Sequence, residues 1–237
     1  MKNISCGILI IAAFIFQACK KIEVATTPLS SLNIVNASVN LASIEANFSN
    51  AGQKVNVQYY SQISSINYAS NAVYGVLANL NVPLTIVPSS DTMNTVYSGT
   101  FNLLKGGIYT LFLTGNNNSV DTLLIKESIP YHPDSSCGIR FVNLSYNGDP
   151  IVITQTVTPN AIDFSTMSYK QYSEFKNYSC TVANSSYVFQ VRDALTNTIL
   201  ASYTLATPFF QNVTLAWIGQ MGGTGAAIQK IMRINHY

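Results

Sequence analysis

Charge is scarce in this sequence. Only 9% of its 237 residues are charged, with 12 Lys and Arg against 10 Asp and Glu, whereas a typical soluble domain has about 25%. The formal net charge is +2, and Lys20 and Lys21 are the only neighbouring pair of basic residues. Because nucleic-acid binding depends on many phosphate contacts from basic side chains, we expect no nucleic-acid partner. Hydrophobic residues make up 48% of the chain, which is enough for a packed core.

Histidine, the commonest catalytic acid or base, is nearly absent. His132 lies between two prolines and His236 is the penultimate residue, so both are predicted to be exposed and without a catalytic role. The carboxylates are scattered, with no calcium-loop or zinc-site spacing. Asp163 and Glu174 are the one pair considered for glycoside hydrolysis, and loop capping is the favoured interpretation. The sequence therefore predicts no enzyme activity, no metal site and no cofactor.

The apolar run at residues 7–16 is too short to span a membrane as a helix. It fits the hydrophobic region of a secretory signal peptide. Ala18 directly before Cys19 resembles the lipobox of bacterial lipoproteins, in which the Cys is lipidated and the preceding peptide is removed. We therefore expect residues 1–18 to be the signal peptide, with an ordinary secretion signal or an uncleaved anchor as the alternatives.

Residues 19–30 then form the lipidated Cys19 and a tether, which is polar, contains Pro28 and shows no periodicity. Acyl chains hold a protein at a membrane surface without spanning it, so the membrane is an expected partner. The expected location is the outer membrane. Lys20 and Lys21 follow the lipidation site, with Glu23 as the only nearby acidic residue, so the sequence leaves the periplasmic and cell-surface faces both open.

Two short stretches share the pattern apolar-x-apolar-Val-Asn-x-Ser, namely residues 32–38 and 139–145. Each opens a block of about one hundred residues, the size of an ordinary domain. Two further pairs match in the same order, residues 66–70 with 162–166 and residues 109–115 with 213–219. We infer a duplicated domain, with copies at residues 31–129 and 137–237 and a proline-containing linker at residues 130–136.

Most of the chain reads as short strands. Apolar and polar residues alternate in many segments, turns recur every 8 to 12 residues, and no stretch has a convincing helical period. Gly106 and Gly107 predict a hairpin between two alternating runs, and residues 222–225, which lack the Lys of a phosphate loop, predict another. The fold class is therefore all-β, as two tandem immunoglobulin-like β-sandwiches.

A family resemblance follows from three segments of the second copy. Residues 140–145, 169–175 and 215–219 resemble the family called domain of unknown function 4397. The first copy matches less well, since it lacks an Arg before Ile34. The resemblance implies immunoglobulin-like repeats in a bacterial envelope protein, often a lipoprotein, and it implies no catalytic residues.

Cysteine and aromatic residues supply the remaining candidates. Cys137 and Cys180 are the two cysteines of the second copy, and they are predicted either to form a disulfide or to be two separate buried thiols. Tyrosines recur at comparable places in the two copies, where their rings would either stack on sugars or partners or fill the core. The tyrosines proposed for glycan or partner contact are Tyr68, Tyr74, Tyr169, Tyr172 and Tyr178.

One modification pattern is present twice. Thr92 and Thr122 each lie between an Asp and an apolar residue, which resembles O-glycosylation sites of some Gram-negative envelopes and requires both to be exposed. Together the patterns favour a non-catalytic envelope lipoprotein with a binding, adhesive or structural role toward a protein or glycan partner. The alternative is an accessory glycan-binding lipoprotein of an outer-membrane nutrient-uptake system.

Overall fold

The computed structural model describes residues 28–48, 65–116 and 118–236, and almost all of their regular structure is β-strand. The strands of the first copy are β1 Leu29–Asn36, β2 Ser43–Asn47, β3 Ile66–Asn67, β4 Ser70–Leu77, β5 Asn79–Pro88, β6 Tyr97–Leu103, β7 Ile108–Asn116 and β8 Ser119–Lys126. Those of the second are β9 Ser136–Asn143, β10 Ile151–Gln155, β11 Thr158–Met167, β12 Lys176–Ser179, β13 Ser186–Asp193, β14 Ile199–Ala206, β15 Asn212–Ile218 and β16 Lys230–His236. Two single-turn 3-10 helices, Val182–Asn184 and Gly225–Ala227, complete the described part.

Both copies have the same topology. Each has one sheet that contains its first strand, β4-β1-β7-β8 or β12-β9-β15-β16, which we call the central sheet. Each has a second sheet, β3-β2-β5-β6 or β11-β10-β13-β14, which we call the outer sheet. All pairings are antiparallel except β1 with β7 and β9 with β15. The all-β class is confirmed, and the repeated strand order fits one duplicated sandwich.

The first strand of each copy lies inside the central sheet. In a constant-type immunoglobulin domain the first strand pairs with the second. Here β1 pairs with β4 and β7, and β9 pairs with β12 and β15. The immunoglobulin part of the prediction is therefore not supported by the strand order, although a two-sheet arrangement is present in each copy.

Three hydrophobic cores hold the molecule together. One lies within the first copy and includes Ile34 and Leu111, and another lies within the second and includes Phe141 and Trp217. The third joins the two central sheets, and Phe112 is one of its fully buried members. The layers therefore run outer sheet, central sheet, central sheet, outer sheet. Because the central strands are covered on both faces, their apolar residues do not alternate.

The sequence pattern that β1 shares with β9 ends in hydrogen bonds made by the Asn36 side chain, which we call the Asn lock. Its Nδ2 donates hydrogen bonds to the carbonyl oxygens of Leu41, at 3.0 Å, and Ile66, at 3.2 Å. Its Oδ1 accepts a hydrogen bond from the Ser38 N–H at 3.3 Å. Asn36 is fully buried, and these bonds satisfy its amide while they join three segments of the copy.

Asn143 makes the same lock in the second copy. Its Nδ2 donates to the Met167 carbonyl oxygen at 3.0 Å, and its Oδ1 accepts from the Ser145 N–H at 3.1 Å. The shared Val-Asn-x-Ser pattern is therefore explained by a turn that both copies need.

These bonds shift one predicted correspondence by five residues. The lock of the first copy captures the Ile66 carbonyl, and that of the second captures the Met167 carbonyl. The equivalent of residues 66–70 is therefore 167–171, and the predicted match with 162–166 is wrong. The sequence comparison was misled by the apolar–polar alternation that any two strands share.

The two predicted glycine hairpins have different outcomes. Residues 222–225 connect β15 and β16, which pair antiparallel, so that hairpin is confirmed. Gly106 and Gly107 connect β6 of the outer sheet to β7 of the central sheet, so the predicted hairpin there is wrong. The turn itself exists, because the Gly107 N–H donates to the Leu104 carbonyl at 2.9 Å. Its strands separate because each joins a different layer.

Candidate functional site

A buried ion pair joins the two copies. Arg140 lies on β9 of the second copy, and Glu127 follows β8 of the first. Arg140 Nη2 lies 2.6 Å from Glu127 Oε1, and the two side chains are 4% and 0% exposed. The ion pair must hold the copies in one arrangement, because separating them would leave two unpaired charges on apolar surfaces.

Arg140 is held by three more groups. Its Nε donates to Thr214 Oγ1 at 2.7 Å. Its guanidinium carbon lies 4.6 Å from the centre of the Phe175 ring and 5.9 Å from that of Tyr172, so two aromatic side chains cover the charge. The guanidinium is therefore fixed by an anion, a hydroxyl and two ring faces.

The Thr214 hydroxyl connects Arg140 to His236 by hydrogen bonds. The Thr214 Oγ1 and His236 Nε2 atoms are 2.7 Å apart. The pKa of His236 is lowered to about 4, chiefly by burial, with the charge of Glu127 opposing this and the charge of Arg140 adding to it. The imidazole is therefore neutral near pH 7, and its Nε2 is hydrogen-bonded to the same hydroxyl that accepts from Arg140. The chain of bonds, Glu127–Arg140–Thr214–His236, acts as a clamp.

The opposite end of the interface uses two of the predicted tyrosines. Tyr169 of the second copy donates from its hydroxyl to Thr114 Oγ1 of the first at 3.3 Å, and the neighbouring Lys170 pairs with Asp121 at 2.8 Å. In the first copy, the Tyr68 ring lies 4.8 Å from Lys230 Nζ of the second. Tyr68 and Tyr169 therefore contact the other copy of their own chain.

The other three predicted tyrosines differ in exposure. Tyr74 packs its ring edge against Phe48 at 5.3 Å, beside the first core, and burial followed by the charge of Glu45 raises its pKa. Tyr178 is buried in the second core, so its ring faces are not available to a ligand, which corrects its assignment as a contact residue. Tyr172 is 42% exposed and is the tyrosine of this set that is most open to a partner.

Asp163 is a hydrogen-bonding hub. Its Oδ2 accepts from the Gln155 amide at 2.7 Å and from the Tyr178 hydroxyl at 2.6 Å, and its Oδ1 pairs with Lys176. Burial, and then the bond to Asp163, raises the pKa of Tyr178. Asp163 is therefore occupied in joining strands β10, β11 and β12, while Glu174 is exposed.

The two cysteines of the second copy are neighbours. Cys137 and Cys180 are both fully buried and are present as free thiols. Burial raises the pKa of the Cys137 thiol, and contact with the Cys180 side chain raises it further. The fold has brought the predicted pair together, and the bond between them stays a prediction.

The remaining predicted positions are scattered. Thr92 is half-buried in the turn between β5 and β6, next to the exposed Met93. Thr122 is half-buried on the edge strand β8, between residues that pack against the first core. Cys19, the signal peptide and the tether up to residue 27 lie outside the described residues.

Both histidines are buried, so the prediction that they are exposed is wrong. His132 bonds Ser136 Oγ through Nδ1 at 3.1 Å and Asn212 Oδ1 through Nε2 at 2.9 Å. The linker folds back on the second copy because Asn212 also donates to the Pro130 carbonyl at 2.9 Å. Gly138 leaves room for this, since a Cβ there would clash with Asn212 Oδ1.

Arg140 was missed as an interface residue, although the sequence contains a signal for it. It is a single charge within a continuous apolar strand, β9, all of whose residues are buried. Such a charge requires a buried partner. Glu127 lies close in sequence, but nothing local indicates that it crosses between copies.

One shallow cleft lies beside this site. It encloses about 220 Å³ and is lined in part by Tyr131, Phe175, Lys176 and Asn177. Tyr131 is 88% exposed, which makes it the most accessible aromatic ring at the cleft. An exposed ring beside an amide and an ammonium group is suited to sugar hydroxyls and ring faces.

Comparison with known proteins gives no match to any family model and no significant match to a curated protein. Within residues 28–48, 65–116 and 118–236, no helix has the length and apolarity needed to cross a membrane. The same residues contain no group of three or more His, Cys, Asp or Glu side chains placed to hold a metal ion.

Proposed function

We propose that this protein is a non-catalytic lipoprotein of the bacterial cell envelope, anchored at the outer membrane by Cys19. Its role is to present two fused β-sandwich copies, related to the domain of unknown function 4397 family, to a partner in adhesion or envelope structure. The proposal is supported by the partners of the buried charged side chains, which are other side chains of the same protein. Arg140 and Glu127 bond to each other across the copies, and Asp163 bonds within the second copy, so both sets serve rigidity.

Rigidity suits a binding role at the end of a short tether. A partner that contacts both copies meets a surface already in its binding arrangement, so little conformational entropy is lost on association. The outer sheets end in the edge strands β3, β6, β11 and β14, whose free backbone groups can pair with a strand from another chain.

Lipidation and location test the first part of this proposal. Mass spectrometry of the membrane-extracted protein should find an acylated Cys19 as the first residue. The variant Cys19→Ser should lack the acyl mass and should retain the signal peptide. Protease treatment of intact cells then distinguishes the cell-surface from the periplasmic face. An unacylated protein in the soluble periplasmic fraction would contradict the proposal.

The cleft at Tyr131 favours the alternative, an accessory glycan-binding lipoprotein of a nutrient-uptake system. Affinity electrophoresis in gels containing polysaccharides should then retard the wild-type protein, and Tyr131→Ala should remove the retardation. Phe209→Ala, at another exposed aromatic residue, is the matched control and should behave like wild type. Equal mobility of all three proteins in every polysaccharide would reject this alternative.

A further inference from the structure

The central sheet of the first copy extends beyond the interface with the second copy. Val35 on its outward face is buried in the inter-copy core. Farther along the same face, Leu29 lies directly opposite Leu77, and Ser31 lies opposite Ile108. With Val73 and Leu104, these apolar side chains are 45–59% exposed. We call this set, Leu29, Val73, Leu77, Leu104 and Ile108, the tether-side surface.

The second copy provides an internal comparison, because the same positions exist there. Ser31 pairs with Ile108 in β1 and β7, as Gly138 pairs with Asn212 in β9 and β15. The equivalent of the exposed Ile108 is therefore the buried amide Asn212, which the linker covers by accepting its hydrogen bond. The equivalents of Leu29 and Leu77 are also polar, namely Ser136 and Ser179. The fold does not require apolar residues here, so their presence in the first copy needs another cause.

The exposed charge on the tether-side surface has one sign, because the side chain of the neighbouring Glu127, whose N–H donates to the Ile108 carbonyl oxygen, is buried and paired with Arg140. The segments that form it, residues 29–31, 70–77 and 104–108, contain Lys105 and no Asp or Glu. Lys105 is exposed in the turn between β6 and β7, next to Leu104. An apolar patch with one exposed cation and no exposed carboxylate on its segments suits an interface that is apolar inside and anionic at its edge.

The short distance in sequence between Cys19 and this surface limits what can cover it. Leu29 belongs to the surface and is ten residues after Cys19. Ten residues span at most about 35 Å even when fully extended. If Cys19 carries the lipid anchor, the tether-side surface is therefore confined near the bilayer.

We propose that the tether-side surface rests on the lipid bilayer, with its apolar side chains at the headgroup boundary and Lys105 against anionic headgroups. This rests on the proposed lipid anchoring of Cys19. The contact sets the orientation of both copies, because the buried Arg140–Glu127 pair and the inter-copy core join them. The first copy is then the membrane-facing one, and the surfaces of the second copy are left for a partner.

The test uses the lipidated full-length protein in vesicles of phosphatidylethanolamine and phosphatidylglycerol with brominated acyl chains. Val73→Cys is labelled with bimane, whose emission bromine quenches on contact. Ile162→Cys, which replaces a similarly exposed strand residue of the second copy, is the matched control. Cys137 and Cys180 are buried, so the label goes to the introduced cysteine. We expect at least twofold stronger quenching at position 73 than at position 162.

A second substitution tests the contact itself. Adding Leu77→Asp to the Val73 label should reduce the quenching at least twofold, because a carboxylate would be placed against anionic lipid, whereas a second-copy Leu195→Asp should leave it unchanged. Equal, weak quenching at positions 73 and 162 in acylated, vesicle-bound protein would overturn this proposal alone. A bimane shift without quenching, together with a doubled particle mass in detergent, would overturn it in favour of a second copy of the chain. Protein without acyl mass that fails to float with vesicles would overturn the lipid anchoring as well.

Discussion

Tyr68 and Tyr169 occupy the same position in the two copies, and each contacts the copy to which it does not belong. The Tyr68 ring lies 4.8 Å from Lys230 Nζ, and the Tyr169 hydroxyl bonds Thr114 at 3.3 Å. A duplicated domain has thus used one equivalent residue twice, with different chemistry on each side. The two copies should therefore unfold as one cooperative unit rather than as two independent domains.

Unfolding should consequently occur in one transition. Trp217, the sole tryptophan, lies in the core of the second copy, so its fluorescence reports on that copy while far-UV circular dichroism reports on both. In urea the two signals should coincide for the wild-type protein. Phe112→Asp, which places a charge in the inter-copy core, should separate them, whereas Val73→Asp, at an exposed position on the same copy, should not. Two separate wild-type transitions would show that the copies fold independently.

The buried ion pair should be costly to break and inexpensive to replace. Arg140→Ala leaves Glu127 charged in an apolar interface, so we expect a loss of about 3–5 kcal/mol in the free energy of unfolding. The double variant Arg140→Met with Glu127→Leu should recover most of this loss, because no buried charge remains. Lys170→Ala, which breaks the half-exposed pair with Asp121, should cost about 0–1 kcal/mol. Urea denaturation measures all three, and equal losses for Arg140→Ala and Lys170→Ala would be inconsistent with a buried clamp.

The sequence predicted the local features of this fold well. The strand class and the hairpin at residues 222–225 follow from alternation and glycine, which act over a few residues. Such features depend on neighbours in the chain, which a sequence displays directly.

Several of the failures concern which segments meet across the fold. His236 was judged by its place near the chain end, yet pairing of β16 with β15 brings it to Thr214. Gly106 and Gly107 were taken for a hairpin because a turn does not reveal which sheet each strand joins. Tyr178 was left open between a surface contact and the core, because aromatic residues of the rim and the core look alike in sequence. The missing information is which strands pair and which layer each strand joins.

His236 should make the stability depend on pH in a defined window. Its pKa in the folded protein is lowered to about 4, below the ordinary value of 6.5, because burial disfavours the charged imidazolium. The unfolded chain therefore binds a proton first as the pH falls, and stability is lost between about pH 6.5 and pH 4. The loss should reach at most the order of 3 kcal/mol.

Carboxylates titrate in part of the same range, so a variant is needed to isolate this effect. His236→Gln keeps an acceptor near Thr214 without a titrating ring. The difference in unfolding free energy between wild type and this variant should change between pH 6.5 and 4 and should be flat from pH 7 to 9. A difference that does not change with pH would show that His236 has an ordinary pKa in the folded state.

Cys137 and Cys180 are free thiols in the structure, but they lie side by side, so we expect an oxidising compartment to join them as a disulfide in the mature protein. Protein purified from the envelope without reductant and then unfolded should take up no maleimide and should be 2 Da lighter than its reduced form. Closing a loop of roughly 44 residues corresponds to about 4 kcal/mol in the chain-entropy model, so reductant should lower the unfolding free energy by up to that amount. The double variant Cys137→Ala with Cys180→Ala should be insensitive to reductant. Two maleimide adducts per unfolded chain would instead show two buried thiols, whose protonated state, maintained by burial, keeps them unreactive until the second copy opens.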